Sequence, residues 1–159
     1  MKNLTTICKM VLCIFLTILL QSCSNEKIMP IVAVSEAAAG CALPSGRIYA
    51  LGEGTSGRQR DEDVFRLLFD EYETGMAGVR SSSVYIAARE QLCEMAVFLC
   101  YGDTEETVDM CQRRGEFLSR NGKGVQYMTA VKGKYVLFAA GEDPDALLSA
   151  LGRAVDGGP

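Results

Sequence analysis

Seven cysteines, six tyrosines, twenty acidic side chains and no histidine set the chemistry open to this chain of 159 residues. Without histidine there is no Ser-His-Asp or Cys-His nucleophile system. Imidazole metal ligands are absent too, and with them most catalytic zinc sites. So is the usual general base near neutral pH. What remains is thiol, phenol, amine and carboxylate chemistry. No pair of cysteines has the CxxC spacing of a thiolate metal site, and no four-cysteine centre is expected. The acids gather at Asp61-Glu62-Asp63, Asp70-Glu71-Glu73, Asp103-Glu105-Glu106 and Glu142-Asp143-Asp145. Each group lies near the end of an expected helix, where acids cap and solubilise. None has the spacing of a calcium-binding loop. The glycine run Gly52-Glu53-Gly54-Thr55-Ser56-Gly57 lacks the Gly-Lys-Ser/Thr ending of a phosphate loop. Tyr85, Tyr101, Tyr127 and Tyr135 all fall on expected strands. Tyrosine suits plain strand packing, and on an uncovered sheet face such a row is a candidate interaction surface. No catalytic residue, metal ligand or cofactor is assigned.

One cysteine has a definite chemical context. The chain begins MKNLTTICKMVLCIFLTILLQSC, with Lys2 and Lys9 ahead of an apolar run from Met10 to Leu20 that only Thr17 interrupts. A membrane span needs about 20 apolar residues, so the run is short for a span and right for an export signal. Leu20-Gln21-Ser22-Cys23 looks like a lipobox: an aliphatic residue at −3, a small one at −1, then cysteine. The chemistry implied is diacylglyceryl transfer to the Cys23 thiol and cleavage before Cys23. Residues 1–22 are therefore expected to be a signal peptide and Cys23 the point of lipidation. The expected location is the extracytoplasmic face of the cell membrane, with the lipid as the membrane contact.

Removing residues 1–22 takes away Lys2 and Lys9 and no acid. The rest keeps 16 − 2 = 14 basic and 20 acidic residues, a balance of −6. That argues against a nucleic-acid partner, because phosphate binding needs a basic face.

The elements that must position these groups follow from periodicity. Residues 23–60 read as a lipidated N-terminus and flexible tether, punctuated by Pro30, Pro44 and glycines. Ile31–Val34 and Arg47–Leu51 are the pieces of it able to dock on a domain, Tyr49 making the second the better one. A helix is expected over Asp61–Tyr72, with Val64, Leu67, Leu68 and Tyr72 as its apolar stripe and a break over Thr74–Arg80. Ser83–Ala88 and Leu92–Tyr101 form a hairpin around Arg89-Glu90-Gln91. A second helix covers Asp103–Arg120, with Asp103 as cap and Val108, Cys111, Gly115 and Leu118 inward. Asp109/Arg113 and Glu116/Arg120 are expected as outward ion pairs. Val125–Val131 and Lys134–Ala140 form a second hairpin turning at Lys132-Gly133. A last helix starts at Pro144, capped by Asp143, with Leu147, Leu148, Leu151 and Val155 inward. Residues 156–159 form a tail.

The expected fold class is α+β over residues 61–155. Its order is α-β-β-α-β-β-α, a four-stranded, mainly antiparallel sheet with helices on one face. Cys93 and Cys100 then lie on one strand, over about 20 Å apart at about 3.3 Å per residue, too far to bridge. Cys111 reads as a small core residue and Cys41 as part of the tether. An exported chain permits disulfides, and the pairing of these four stays open.

Three segments carry a family resemblance: Glu94-Met95-Ala96-Val97-Phe98, a helix bearing Arg113-Arg114, and Gly133-Lys134-Tyr135-Val136-Leu137-Phe138, followed by Glu142-Asp143-Pro144-Asp145. In this order they resemble the family called domain of unknown function 4358, found in short lipoproteins of clostridia-like Gram-positive bacteria. The resemblance spans about residues 62–155. It implies an exported, lipid-anchored domain and supplies no activity. The reading is a cell-envelope lipoprotein carrying a non-enzymatic binding or protein-interaction module, its partner an envelope protein or ligand. The alternatives are a small envelope hydrolase or enzyme inhibitor using carboxylate or tyrosine chemistry, and an accessory subunit of an envelope complex.

Overall fold

A computed structural model describes residues 28–52, 59–88 and 92–157. The expected signal peptide, Cys23, most of the Gly52–Gly57 run and the loop Arg89-Glu90-Gln91 lie outside the described residues. Three elements are new relative to the periodicity argument, and two of them come from the expected tether. Helix α1 covers Pro30–Gly40 and strand β1 covers Gly46–Gly52. Helix α2 (Gln59–Leu68) is followed by the short α3 (Tyr72–Met76), where a break was expected. Then come β2 (Val79–Ala87), β3 (Glu94–Cys100), α4 (Glu105–Asn121), β4 (Gln126–Lys132), β5 (Tyr135–Gly141) and α5 (Pro144–Val155).

The fold is α+β with one antiparallel sheet of five strands in the order β1-β2-β3-β5-β4. The four-stranded expectation and its element order are corrected by the pairing of β1 with β2, Gly46 opposite Ala87 through Gly52 opposite Ser81. Tyr49 is half-buried there, as its size demands. The β1 amide of Ala50 donates to Asp61 Oδ2 at 3.2 Å.

Strand β3 lies at the centre, and all seven of its residues are buried. Side chains on a strand alternate between faces, so a strand buried throughout requires cover on both. Ala96, Phe98 and Cys100 join Val136 and Phe138 of β5, Phe65 and Phe69, and Met110, Cys111 and Leu118 of α4. Met95 and Val97 join Leu137 of β5, Ala33, Val34 and Ala37 of α1, and Leu151 and Ala154 of α5. Helices therefore cover both faces, not one. The second face is closed by α1, which a tether reading leaves out.

Helix α1 forms for local reasons. Pro30 stands in its first turn, where the missing N–H costs nothing. Pro30, Ala33, Val34 and Ala37 make one buried stripe at helical spacing. Its small side chains let the helix lie close to the sheet and to α5.

The stripe of α2 also differs from expectation. Leu67 is 84% exposed, while Phe65 and Phe69 are buried against Phe98, with ring centroids 6.4 and 5.5 Å from it. The two phenylalanines bury more apolar area than the Val64/Leu67 pair, and the helix rotates to suit them. The β4–β5 turn falls on Gly133-Lys134, because Lys132 pairs with Tyr135. Gly133 takes φ +59°, a left-handed conformation that glycine adopts at no steric cost. Asp143 caps α5 as expected, accepting from the Ala146 amide at 3.0 Å.

Helix α4 approaches β4 closely because of Gly115. A Cβ there would stand 2.1 Å from a Tyr127 ring carbon. Since that carbon lies near the root of the ring, the ring cannot simply swing aside. Gly115→Ala is expected to destabilise the fold by about 1–3 kcal/mol through overpacking. Urea denaturation showing an unchanged midpoint would contradict this contact.

Candidate functional site

Both sheet faces are covered, so the expected tyrosine row does not form. Tyr85 is buried under α1 and its hydroxyl donates to the Pro44 carbonyl. Tyr135 shares that face, half-buried, and its hydroxyl donates to the Ile28 carbonyl at 2.8 Å. Tyr127 is half-buried on the opposite face, against Gly115. Tyr101 lies just beyond β3 and is 61% exposed. The four are split between two cores and the surface because β2, β4 and β5 present their tyrosines at different parities. Burial pushes the Tyr85 and Tyr135 phenols up, so both stay protonated donors at neutral pH.

Among the described residues the charged groups sort into surface pairs and one buried pair. Arg66 bonds Glu62 and Glu73, and Glu116 pairs with Arg120 at 3.0 Å as expected. Arg113 reaches Glu71 at 2.7 Å, across the α3–α4 packing, in place of the expected Asp109. The buried pair is Glu94 with Arg114. Arg114 Nη2 lies 2.5 Å from Glu94 Oε1 and Nε 3.0 Å from Oε2, a two-pronged arrangement. Their side chains are 4% and 10% exposed. Glu94 starts the central strand and points to the α4 face, where Arg114 sits one turn before Leu118. The two residues belong to separate segments of the family resemblance, and the fold joins them. The geometry is that of a structural clasp between β3 and α4, since both prongs are used within the pair.

One concave surface gathers chemically capable side chains. A cleft of about 450 Å³ lies between the α1–β1 connection, the start of β3 and the β5–α5 corner. Its walls include Cys41 and Pro44, Cys93, Glu142 and Asp143, and Arg153. The volume falls in the range of small-molecule sites, about 300–1,000 Å³. Glu142, Asp143 and Arg153 are exposed to solvent. Asp143 already serves the α5 N-terminus. The thiols of Cys41 and Cys93 are half-buried. The cleft exists because α1 and β1 fold against the sheet, so a tether reading of residues 23–60 conceals it. The signal in the sequence was the Pro30/Ala33/Val34/Ala37 spacing, which places Cys41 at the end of a helix.

Among the described residues no group of three or more Cys, Asp or Glu is placed to hold a metal ion. Among them, too, no helix is long and apolar enough to cross a membrane. Comparison with protein-family models, with curated proteins and with solved structures found no match.

Proposed function

We propose that this chain is a cell-envelope lipoprotein whose folded domain is a membrane-proximal binding or interaction module, lipid-anchored through Cys23. The observation that carries the reading is the Leu20-Gln21-Ser22-Cys23 sequence behind a short apolar run and two lysines. Two acyl chains on one cysteine anchor stably, each buried CH₂ contributing about 0.8 kcal/mol. The resemblance to domain of unknown function 4358 supports the same location.

The described fold sharpens the distance. Ile28 already contacts the domain through its carbonyl, which accepts from Tyr135. Cys23 precedes it by five residues. An extended chain of that length spans at most about 18 Å, at about 3.3–3.6 Å per residue. A lipid on Cys23 therefore holds the domain near the bilayer, within reach of membrane-embedded partners or of small ligands at the surface. The cleft beside Cys41 and Cys93 is one concave surface on offer, and a second, of about 600 Å³, lies between α1 and α5.

The test is membrane fractionation in a host that processes lipoproteins. The wild-type chain is expected in the membrane fraction, bearing a diacylglyceryl group on an N-terminal Cys23. Cys23→Ser is expected to stay uncleaved at that site or to leave the membrane on mild washing. Identical fractionation and N-terminal mass for the two chains would sink the reading.

A further inference from the structure

The four cysteines of the described residues fall into two neighbourhoods. Cys100 and Cys111 are buried, at 1% and 0% exposure, in the core between β3 and α4. Burial pushes the Cys111 thiol far up, and the Cys100 thiol contacts the Thr107 hydroxyl at 3.8 Å. These are sealed core residues. Cys41 and Cys93 differ from them in exposure and in access from the cleft. Both are half-exposed, both line the cleft of about 450 Å³, and both pack on the edge of the α1/α5 core. They come from opposite walls: Cys41 ends α1, and Cys93 immediately precedes β3.

We propose that Cys41 and Cys93 are a redox-active thiol pair that closes to a disulfide across the cleft, tying the α1–β1 connection to the central strand. The bond formed is Cys41 Sγ–Cys93 Sγ. The oxidant is a disulfide, either of low molecular weight or carried by a thiol–disulfide oxidoreductase. One cysteine thiolate attacks that disulfide, displacing the first thiol. The second attacks the mixed disulfide, displacing the other. Two thiols of the chain are oxidised, one disulfide is reduced to two thiols, and the two protons end on the leaving thiolates.

Three observations support the pairing. A common cleft gives the oxidant a path that Cys100 and Cys111 lack. Both residues pack against the same α1/α5 core, so the two thiols lie on one side of the sheet. The wall that carries Cys41 bonds to its own helix before it bonds to the sheet: the Cys41 amide donates to the Ala37 carbonyl at 3.1 Å, Leu43 donates to the Cys41 carbonyl at 2.8 Å, and the next tie is Tyr85 to Pro44. It can therefore settle into disulfide geometry, which needs Cα atoms within about 7 Å. The bridge would span 93 − 41 = 52 residues of chain and enclose β1, α2, α3 and β2. The inference does not depend on lipidation, although an exported location supplies the oxidising surroundings.

The test uses the full chain, folded and reduced, then treated with oxidised glutathione at pH 8. Free thiols are trapped with N-ethylmaleimide, and peptides are mapped by mass spectrometry. The expected product is a Cys41–Cys93 linked peptide and the loss of both residues from the maleimide-labelled set, with Cys100 and Cys111 labelled only after unfolding. Cys41→Ser, a near-isosteric change at a half-buried position, is expected to leave Cys93 as a glutathione adduct or maleimide adduct and to form no other internal bridge. Recovery of Cys41 and Cys93 each carrying its own glutathione or maleimide in the wild-type chain would overturn the proposal. So would a bridge from either residue to Cys100 or Cys111.

Discussion

Arg114→Met is expected to lower the unfolding free energy by about 3–5 kcal/mol, because it strands the Glu94 carboxylate in the core. Glu94 is 3% exposed, and both its oxygens are taken by Arg114. Methionine replaces much of the arginine stem, so the loss is dominated by the unpaired charge and not by a cavity. A typical domain has about 5–15 kcal/mol in total, so the variant is expected to sit near the edge of stability. The double variant Glu94→Leu, Arg114→Met is the informative partner. Removing both charges removes the desolvation problem, and buried pairs replaced by apolar residues are often neutral. Most of the lost stability is expected to return. Urea denaturation of the wild type, both single variants and the double variant measures the coupling. Additive losses would show that the pair does not act as one unit. Recovery would establish that its role is to register β3 against α4, with little net contribution to stability.

A chain starting at Asp61 is expected to lose cooperative unfolding altogether, while one starting at Ser24 keeps it. The shorter chain lacks α1 and β1. Without α1, Tyr85, Met95 and Val97 lose the helix that covers them, although all three are buried in the intact chain. Burying a side chain of that size contributes about 1.5–3 kcal/mol, so several together match or exceed the whole stability of a small domain. Without β1, β2 becomes an unprotected edge, and the Tyr85 hydroxyl loses its Pro44 acceptor. Near-ultraviolet circular dichroism and dye binding distinguish the outcomes. A sharp thermal transition in the shorter chain, without bound dye, would contradict the role assigned to residues 28–52.

The elements from Asp103 onward were legible because each carries its own local instruction. Asp103 accepts from the Thr104 and Glu105 amides, at 2.6 and 3.1 Å, although the N-cap of α4 is Thr104 and not the expected Asp103, which stands one residue ahead of it. Asp143 and Pro144 start α5, and Gly133 turns the last hairpin. Residues 28–52 were harder, because their signals are weak ones. Ala33, Val34 and Ala37 make a buried stripe with little hydrophobic contrast to their neighbours Ala38 and Ala39. Strand β1 has only Ala50 fully buried. Such segments earn their structure from what they cover, and a local window cannot weigh that.

The sequence by itself determined the chemistry that is closed to this protein and the chemistry that is open. It excluded histidine catalysis, gave the acidic balance and singled out Cys23 by its neighbours. It also determined most helix starts and turns, since caps, prolines and glycines act within a few residues. Only the tertiary structure decided which distant groups meet. Glu94 and Arg114 lie 20 residues apart and become a buried pair. Tyr135 and Ile28, 107 residues apart, become a hydrogen bond. Cys41 and Cys93 come to line one cleft. Such meetings are fixed by strand order and by the rotation of helices on the sheet. Those depend on burial summed over the whole core and are invisible at the spacing of a motif.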